Sequence, residues 1–362
     1  LHADARAFVD SITLAGLAKQ TGPAPQQFHL LPSARTERLI IGGDCFDKGP
    51  STLSLLDTIA RYRALGGQLE LLAGNHDLRL PLGLSLFGKP TDTWTEHLFV
   101  RMGKKTLPLL KEIWDKQLAP KRKPLATIPD KKICRARLLP ADDWPARFRT
   151  AAAKTLSGAA LDREISRIIS KRATFKADYK SYGLSIRKVY AAAQEAHRLF
   201  IQPHGDYAWF LRDLKLASRH GSFLFVHAGL DDKTAMHVVA RGVADINDHF
   251  TRPFRHNPFA FYAGSLGNAL RTKYRSVDYP LHSPATDALH REGIFAVVHG
   301  HHSQTHGQRL SLRSGLLHVE CDVTLDRNSR AIEGLSSRGA GITTLHPDGF
   351  ILASSSDCPT TK

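Results

Sequence analysis

The chain has 362 residues, 42% of them hydrophobic, with 27 Gly and 19 Pro; this places it among ordinary globular proteins with two or three structural units and a sizeable core. No apolar run approaches the ~18–20 residues that cross a bilayer, and Cys45, Cys134, Cys321 and Cys358 lack the spacing of a disulfide framework or a thiolate zinc site. The formal charge of +16 is uneven, since residues 81–200 hold 25 Lys+Arg against 11 Asp+Glu, a net of +14.

From the N-terminus, Leu1-His2-Ala3-Asp4 precedes a helical stretch with Phe8, Val9, Ile12 and Ala15 on one face. Two apolar runs, Leu39-Ile40-Ile41 and Leu69-Glu70-Leu71-Leu72, read as short buried strands. Each leads into a polar cluster: Gly43-Asp44-Cys45-Phe46-Asp47-Lys48-Gly49 after the first, Gly74-Asn75-His76-Asp77 after the second. The basic segment that follows is far longer than a connecting loop needs and reads as an insertion over residues 85–200. Leu107-Pro108-Leu109-Leu110, Ala151-Ala152-Ala153, Ile165, Ile168, Ile169 and Ala191-Ala192-Ala193 predict helices there. Prolines at 120, 124, 129, 140 and 145 predict an irregular middle around Lys121-Arg122-Lys123 and Lys131-Lys132. Strands return at Phe223-Leu224-Phe225-Val226, before His227-Ala228-Gly229, and at Phe295-Ala296-Val297-Val298, before Gly300-His301-His302. Residues 315–323 and 341–345 read as further strands, His346-Pro347-Asp348-Gly349 as a turn into Phe350-Ile351-Leu352, and 354–362 as a frayed tail.

Strands of a layered α/β protein deliver their C-terminal loops to one crevice. Here the delivered side chains suit two divalent ions roughly 3.5–4 Å apart. Cations that close need a shared anionic ligand, and Asp44 is the candidate. Asn75, His227 and His301 add neutral donors and leave room for an anionic phosphate. His76 is free to protonate a leaving group, Asp47 to orient it, and Lys48 to place positive charge beside the phosphate. Taken singly, Gly-Asn-His-Asp is a plausible turn and His-Ala-Gly a structural one. Their joint occurrence, each after an apolar run, favours the metal site.

These motifs resemble the calcineurin-like metallophosphoesterases, closest to the phosphoprotein-phosphatase (serine/threonine phosphatase-like) branch. That branch carries Gly-Asp-x-x-Asp-Arg-Gly, where this chain has Lys48 for Arg; Gly-Asn-His-Glu, where it has Asp77; and His-Gly-Gly, where it has Ala228. Gly205-Asp206-Tyr207-Ala208-Trp209-Phe210-Leu211-Arg212 is similar to the Trp-Leu-Arg helix of bacterial members, and Ser303 stands where the wider superfamily often has a second metal-binding histidine. His302 and His306 are near enough to His301 to merit notice. The resemblance implies an α/β fold: a β-sandwich of two mixed sheets flanked by helices, with the core in residues 1–84 and 201–353 and the basic helical insertion as a cap. It also implies His2 as a ligand whose Asp partner would precede Leu1, so the chain reads as cut inside its first motif. Metal one would take that Asp, His2 and Asp44; metal two would take Asp44, Asn75, His227 and His301. A hydroxide between two ions of manganese, iron or zinc would attack phosphorus in line, and Arg275, in competition with Arg255 and Arg271, would grip the phosphate.

The expected function is hydrolysis of a phosphate monoester on a phosphoprotein or small ester, with a dinucleoside-polyphosphate or nucleic-acid phosphodiesterase, or a non-catalytic basic binding module, as alternatives. The insertion could steer anionic substrates or bind nucleic acid through its Lys/Arg clusters, although stacking aromatics are sparse (Trp94, Trp114, Trp144, Phe148). A solvated cap is the plainer reading. A membrane is not an expected partner. A reducing cytoplasm is the expected compartment, with a removed leader left open.

Overall fold

The computed structural model describes residues 1–358 except 89, 157, 257–260, 262–263, 305 and 337; for 252–256 it describes the backbone alone. The chain is a mixed α/β protein with two compact units, one formed by 1–77 with 213–362, the other by 78–212.

The first unit carries the strands. β1 (Ala18–Gln20) and β2 (Phe28–Leu30) pair antiparallel. β3 (Leu39–Ile41), β4 (Leu69–Leu72) and β5 (Leu214–Lys215) form a parallel sheet. The five-stranded sheet has the order β6 (Ala217–His220), β7 (Phe223–Val226), β8 (Ala296–His299), β10 (Leu316–Glu320), β9 (Arg309–Arg313). Its central pairs β7–β8 and β8–β10 are parallel and its outer pairs antiparallel, so this sheet is mixed. The three-stranded sheet is parallel throughout, in contrast to the expected second mixed sheet. The reason is connectivity: β3 reaches β4 through the helix Thr52–Ala64, and such a crossover returns the chain in the same direction.

Local chemistry sets these elements. Asp4 caps the helix Ala5–Leu14 by accepting from the Arg6 and Ala7 amides, and Ser51 caps Thr52–Ala64 by accepting from Ser54 N. The apolar stripe Phe8, Val9 and Ile12 is buried, and Phe8 meets Tyr62 of the second helix edge-on at 5.9 Å between ring centroids.

β11 (Gly341–Leu345) and β12 (Ile351–Ser355) form the expected hairpin around His346–Gly349. Among the described residues it stands as its own two-stranded sheet rather than completing a larger one. The segment expected to fray starts inside β12. Order extends further because the buried Arg330 guanidinium donates to both Asp357 carboxylate oxygens, at 2.7 and 2.6 Å. Residues 359–362 of that segment lie outside the described ones.

Among its described residues the second unit is helical, with Arg79–Leu84, Leu98–Met102, Leu107–Ile113, Lys131–Leu138, Trp144–Ala152, Gly158–Ser181 and Ile186–Phe200. Ala191, Ala192 and Ala193 are all buried on the last helix, where small side chains permit close packing. Lys131-Lys132 belong to a helix and not to the irregular middle, because the Asp130 carboxylate accepts from Ile133 N and starts it. The irregular stretch around 121–128 is held by Arg187, whose guanidinium donates to the carbonyls of Leu125, Ile128 and Pro129. Trp144 and Phe148 stack at 4.7 Å in the unit's core, and Trp114 is buried too. These three rings therefore serve packing and offer no platform for nucleic-acid bases. No helix of the described residues is long and apolar enough to cross a membrane.

Candidate metal centre

Because β3 and β4 run parallel, their C-terminal loops leave the sheet at the same edge; β7 and β8 do the same in the larger sheet. The loops after these four strands bring Asp44, Asn75-His76, His227 and His301 to one place. Two groups of side chains converge there: His2, Asp44 and His76, and Asp44, His227 and His301. Their donor atoms lie within 4.8 Å of one another in each group, and Asp44 belongs to both.

Asp44 Oδ2 is 3.7 Å from His2 Nε2 and 3.9 Å from His76 Nε2, while its Oδ1 is 3.5 Å from His227 Nε2. Its Oδ1 also accepts from the His76 amide at 2.9 Å. Burial opposes its charge, but the His227, His76 and His2 imidazoles outweigh burial and hold the carboxyl well below its usual range. The close approach of the loops requires glycine. A Cβ on Gly74 would lie 2.2 Å from both Asp44 N and Oδ1, and one on Gly43, at φ 92°, would lie 2.7 Å from Gly74 N and His227 Nδ1. Of the eight described non-glycine residues with positive φ, five are His2, Asp44, Asp47, Lys48 and His301. Strained backbone thus gathers where these loops meet.

The hydrogen-bond pattern presents lone pairs to the centre. His227 Nδ1–H donates to the Gly42 carbonyl at 2.7 Å, which leaves Nε2 as the free electron pair. His2 Nδ1–H likewise donates to the Phe46 carbonyl at 3.2 Å, but its Nε2 lone pair accepts from Lys48. Burial pushes His2 well below the usual imidazole value and His301 down to about 3, where His227 adds to the effect, so both rings are neutral near pH 7. Two buried polar atoms, Asn75 Oδ1 and His227 Nε2, have no hydrogen-bond partner among the described residues. Leaving such atoms bare in a protein interior is costly, and a cation is the partner that both can accept. The donor set of one shared carboxylate, neutral imidazoles and an amide oxygen therefore fits divalent ions.

His76 Nδ1 lies 3.0 Å from Asp47 Oδ2, and both side chains are buried. Lys48 Nζ donates to His2 Nε2 at 2.9 Å, so its ammonium sits on an expected ligand. Arg275 does not join the cluster: it forms a two-bonded pair with Asp278 and lines a cavity of about 450 Å3 with Tyr274, Tyr279 and Arg313. The side chain of Arg255 lies outside the described ones, and His302 is exposed beside Gln304 and belongs to neither group.

Two residues carry more than the sequence reading assigned them. Asp77 accepts from four backbone amides, those of Gly74, Asp44, Cys45 and Phe46, at 2.7–3.1 Å, and so ties the first loop to the second. Asp322 stands beside the loop that carries His301, since a Cβ on Gly300 would lie 3.4 Å from its Cβ, and burial pushes its carboxyl up. The available signal was positional: Asp322 follows the apolar strand β10 as the other site residues follow theirs.

No family model and no curated protein sequence matches the chain. Among solved structures it is similar to a cold-active protein tyrosine phosphatase (12% identity, 99% of this chain and 75% of that one, TM-score 0.49). The enzyme of that kind from a psychrophilic Shewanella species gives 12% identity, 99% and 77% coverage and the same TM-score. A protein serine/threonine phosphatase from Saccharomyces cerevisiae gives 11% identity, 90% and 71% coverage and a TM-score of 0.35.

Proposed function

We propose that the chain is a dinuclear metal-dependent phosphoesterase of the calcineurin-like kind, in its phosphoprotein-phosphatase branch, that hydrolyses a phosphate monoester on a phosphoprotein or small ester. One observation carries this reading: the buried Asp44 carboxylate turns one oxygen to His2 and His76 and the other to His227. A carboxylate with imidazole nitrogens set about both of its oxygens is the arrangement that paired cations need. When bound, ions such as manganese, iron or zinc polarise a phosphoryl oxygen and supply an activated nucleophile.

The chain's own groups supply the rest. His2, His227 and His301 contribute lone pairs without adding charge, and Asn75 contributes a neutral oxygen, so an anionic phosphate is not repelled. His76 is fixed by Asp47 at Nδ1, which turns Nε2 toward the centre; there it holds the proton that the departing oxygen needs. The three- and five-stranded sheets are the proposed halves of the family's sandwich, and residues 85–200 its basic insertion.

Hydrolysis of p-nitrophenyl phosphate and of bis-p-nitrophenyl phosphate by the full-length protein, with and without manganese, tests the proposal. Metal-dependent cleavage of the monoester, abolished in Asp44→Asn together with metal content, is the expected result. Preference for the diester would replace the monoesterase by a nucleotide or nucleic-acid phosphodiesterase. Silence on both esters with no bound metal would overturn the enzymatic reading in favour of a binding module.

A further inference from the structure

A third group of ligating side chains lies away from the centre, on the helix Asp232–His256. That helix is interrupted at Gly242, whose φ of 79° and ψ of 172° break the hydrogen-bonded ladder in a conformation that favours glycine. His237 precedes the kink; Asp245 and His249 follow it, one turn apart on the same face. The kink brings the three together. His237 Nε2 is 2.6 Å from Asp245 Oδ2, His249 Nδ1 is 3.0 Å from the same oxygen, and the two rings meet edge-on at 4.8 Å between centroids.

We propose that His237, Asp245 and His249 bind a borderline divalent transition ion, with Zn2+ as the fitting example, at a site separate from the Asp44 centre. Two imidazoles and one carboxylate form a donor set that suits zinc, copper or nickel better than magnesium or calcium, which take oxygen donors. Metal–ligand bonds of about 2.0–2.2 Å at tetrahedral angles separate ligand atoms by about 3.3 Å. The observed separations need to open by less than about 1 Å, a rotamer adjustment at side chains that are 23%, 31% and 46% exposed. The same exposure leaves the remaining coordination positions to water. On binding, the proton that His237 Nε2 shares with the Asp245 carboxylate and the one that His249 Nδ1 shares with the Asp245 backbone carbonyl move to the other ring nitrogen or to solvent, and the freed lone pairs turn to the ion. The ion then bridges the two halves of the kinked helix. Its second half is anchored by Asn247, which accepts from Leu216 N and Ala217 N and donates to the Ala217 carbonyl. Occupancy therefore fastens the helix across its one non-helical residue.

The test compares zinc content after equilibrium dialysis at micromolar free Zn2+ in the full-length protein and its His237→Ala/His249→Ala variant. Because both proteins keep the Asp44 centre and all cysteines, only the difference matters. The expected result is one zinc equivalent fewer in the variant, unchanged turnover of p-nitrophenyl phosphate, and a zinc-induced rise in Tm that the variant lacks. Equal zinc content in two folded proteins would overturn the proposal and leave the triad as an ion-pair bracket. Should the double variant misfold, Asp245→Asn, which keeps shape and one hydrogen-bond acceptor, is read the same way: retained binding at full stoichiometry overturns it.

Discussion

Asp77 shows how much of the loop cluster rests on one buried carboxylate. Its carboxylate is the common acceptor for the Gly74, Asp44, Cys45 and Phe46 amides, so it fixes the backbone that aims Asp44. Asp77→Ala strands four buried donors at ~1–3 kcal/mol each before relaxation, and the expected outcome is a loss on the order of 3 kcal/mol or more in urea unfolding. Metal affinity should fall with it. A denaturation midpoint matching the parent protein would show that the loops hold each other without Asp77. His76 is the general acid of the proposed reaction. Its Nε2 lies 3.9 Å from Asp44 Oδ2, and its Nδ1 is occupied by Asp47. His76→Ala should cost about 10²–10⁴-fold in turnover, the usual scale for a lost general acid, with metal content close to the parent. An unchanged rate would place the acid on another residue.

At the scale of elements, alternation along β9 explains an acid-sensitive point in the larger sheet. Arg309, Ser311 and Arg313 share one face of that strand, and all three donate to the buried Glu320 of β10, at 2.6–3.0 Å. Burial opposes the charge of Glu320, but these donors outweigh it and hold the carboxyl down at about 2, against 4.5 for a free side chain. Between those values the unfolded chain binds the proton and the folded one does not. Stability from this group is therefore complete above about pH 4.5 and is lost as pH falls toward 2. Glu320→Gln should flatten the stability–pH slope in that window, as followed by chemical denaturation from pH 5 to 2.5; an identical slope would remove Glu320 from the account. The strands themselves were legible as apolar runs: Leu39–Ile41, Leu69–Leu72 and Phe223–Val226 match β3, β4 and β7, and β8 is displaced by one residue from its run. Asp44, Asn75, His227 and His301 come together because each stands just past a strand end. What stayed hidden depends on partners distant in sequence. Asp77 reads as a turn residue until the amides of the preceding loop are folded onto it. Arg330 and Asp357 reveal their pairing, and the order of the tail, only in three dimensions. His237 shows no ligand spacing to Asp245 and His249 until Gly242 bends the helix that carries all three.

For the whole molecule, charge is the property that acts at a distance. The net of +16 belongs to all 362 residues, and the run over 81–200 supplies most of it. A field of that sign raises the local concentration of anionic substrates and quickens their encounter, whether or not any single lysine touches them. Under the proposed function it leaves the chemical step alone, because such a field acts on encounter and not on a substrate already bound. The field is screened over about 30 Å at 0.01 M salt and about 8 Å at 0.15 M. For a phosphate ester whose capture limits turnover, kcat/KM should therefore fall as salt rises through that range, while kcat stays level. Lys121→Glu, Arg122→Glu and Lys123→Glu together lower the formal charge by six, from +16 to +10. The triple variant should show a lower kcat/KM at 0.01 M and a shallower salt dependence, and the two proteins should converge at high salt. These residues lie in an irregular, exposed stretch, so the substitutions leave the helical core of their unit intact. A salt response identical in the two proteins would leave any steering to groups nearer the cluster, Lys48 among them, and would reduce the basic run over 81–200 to a solvated surface.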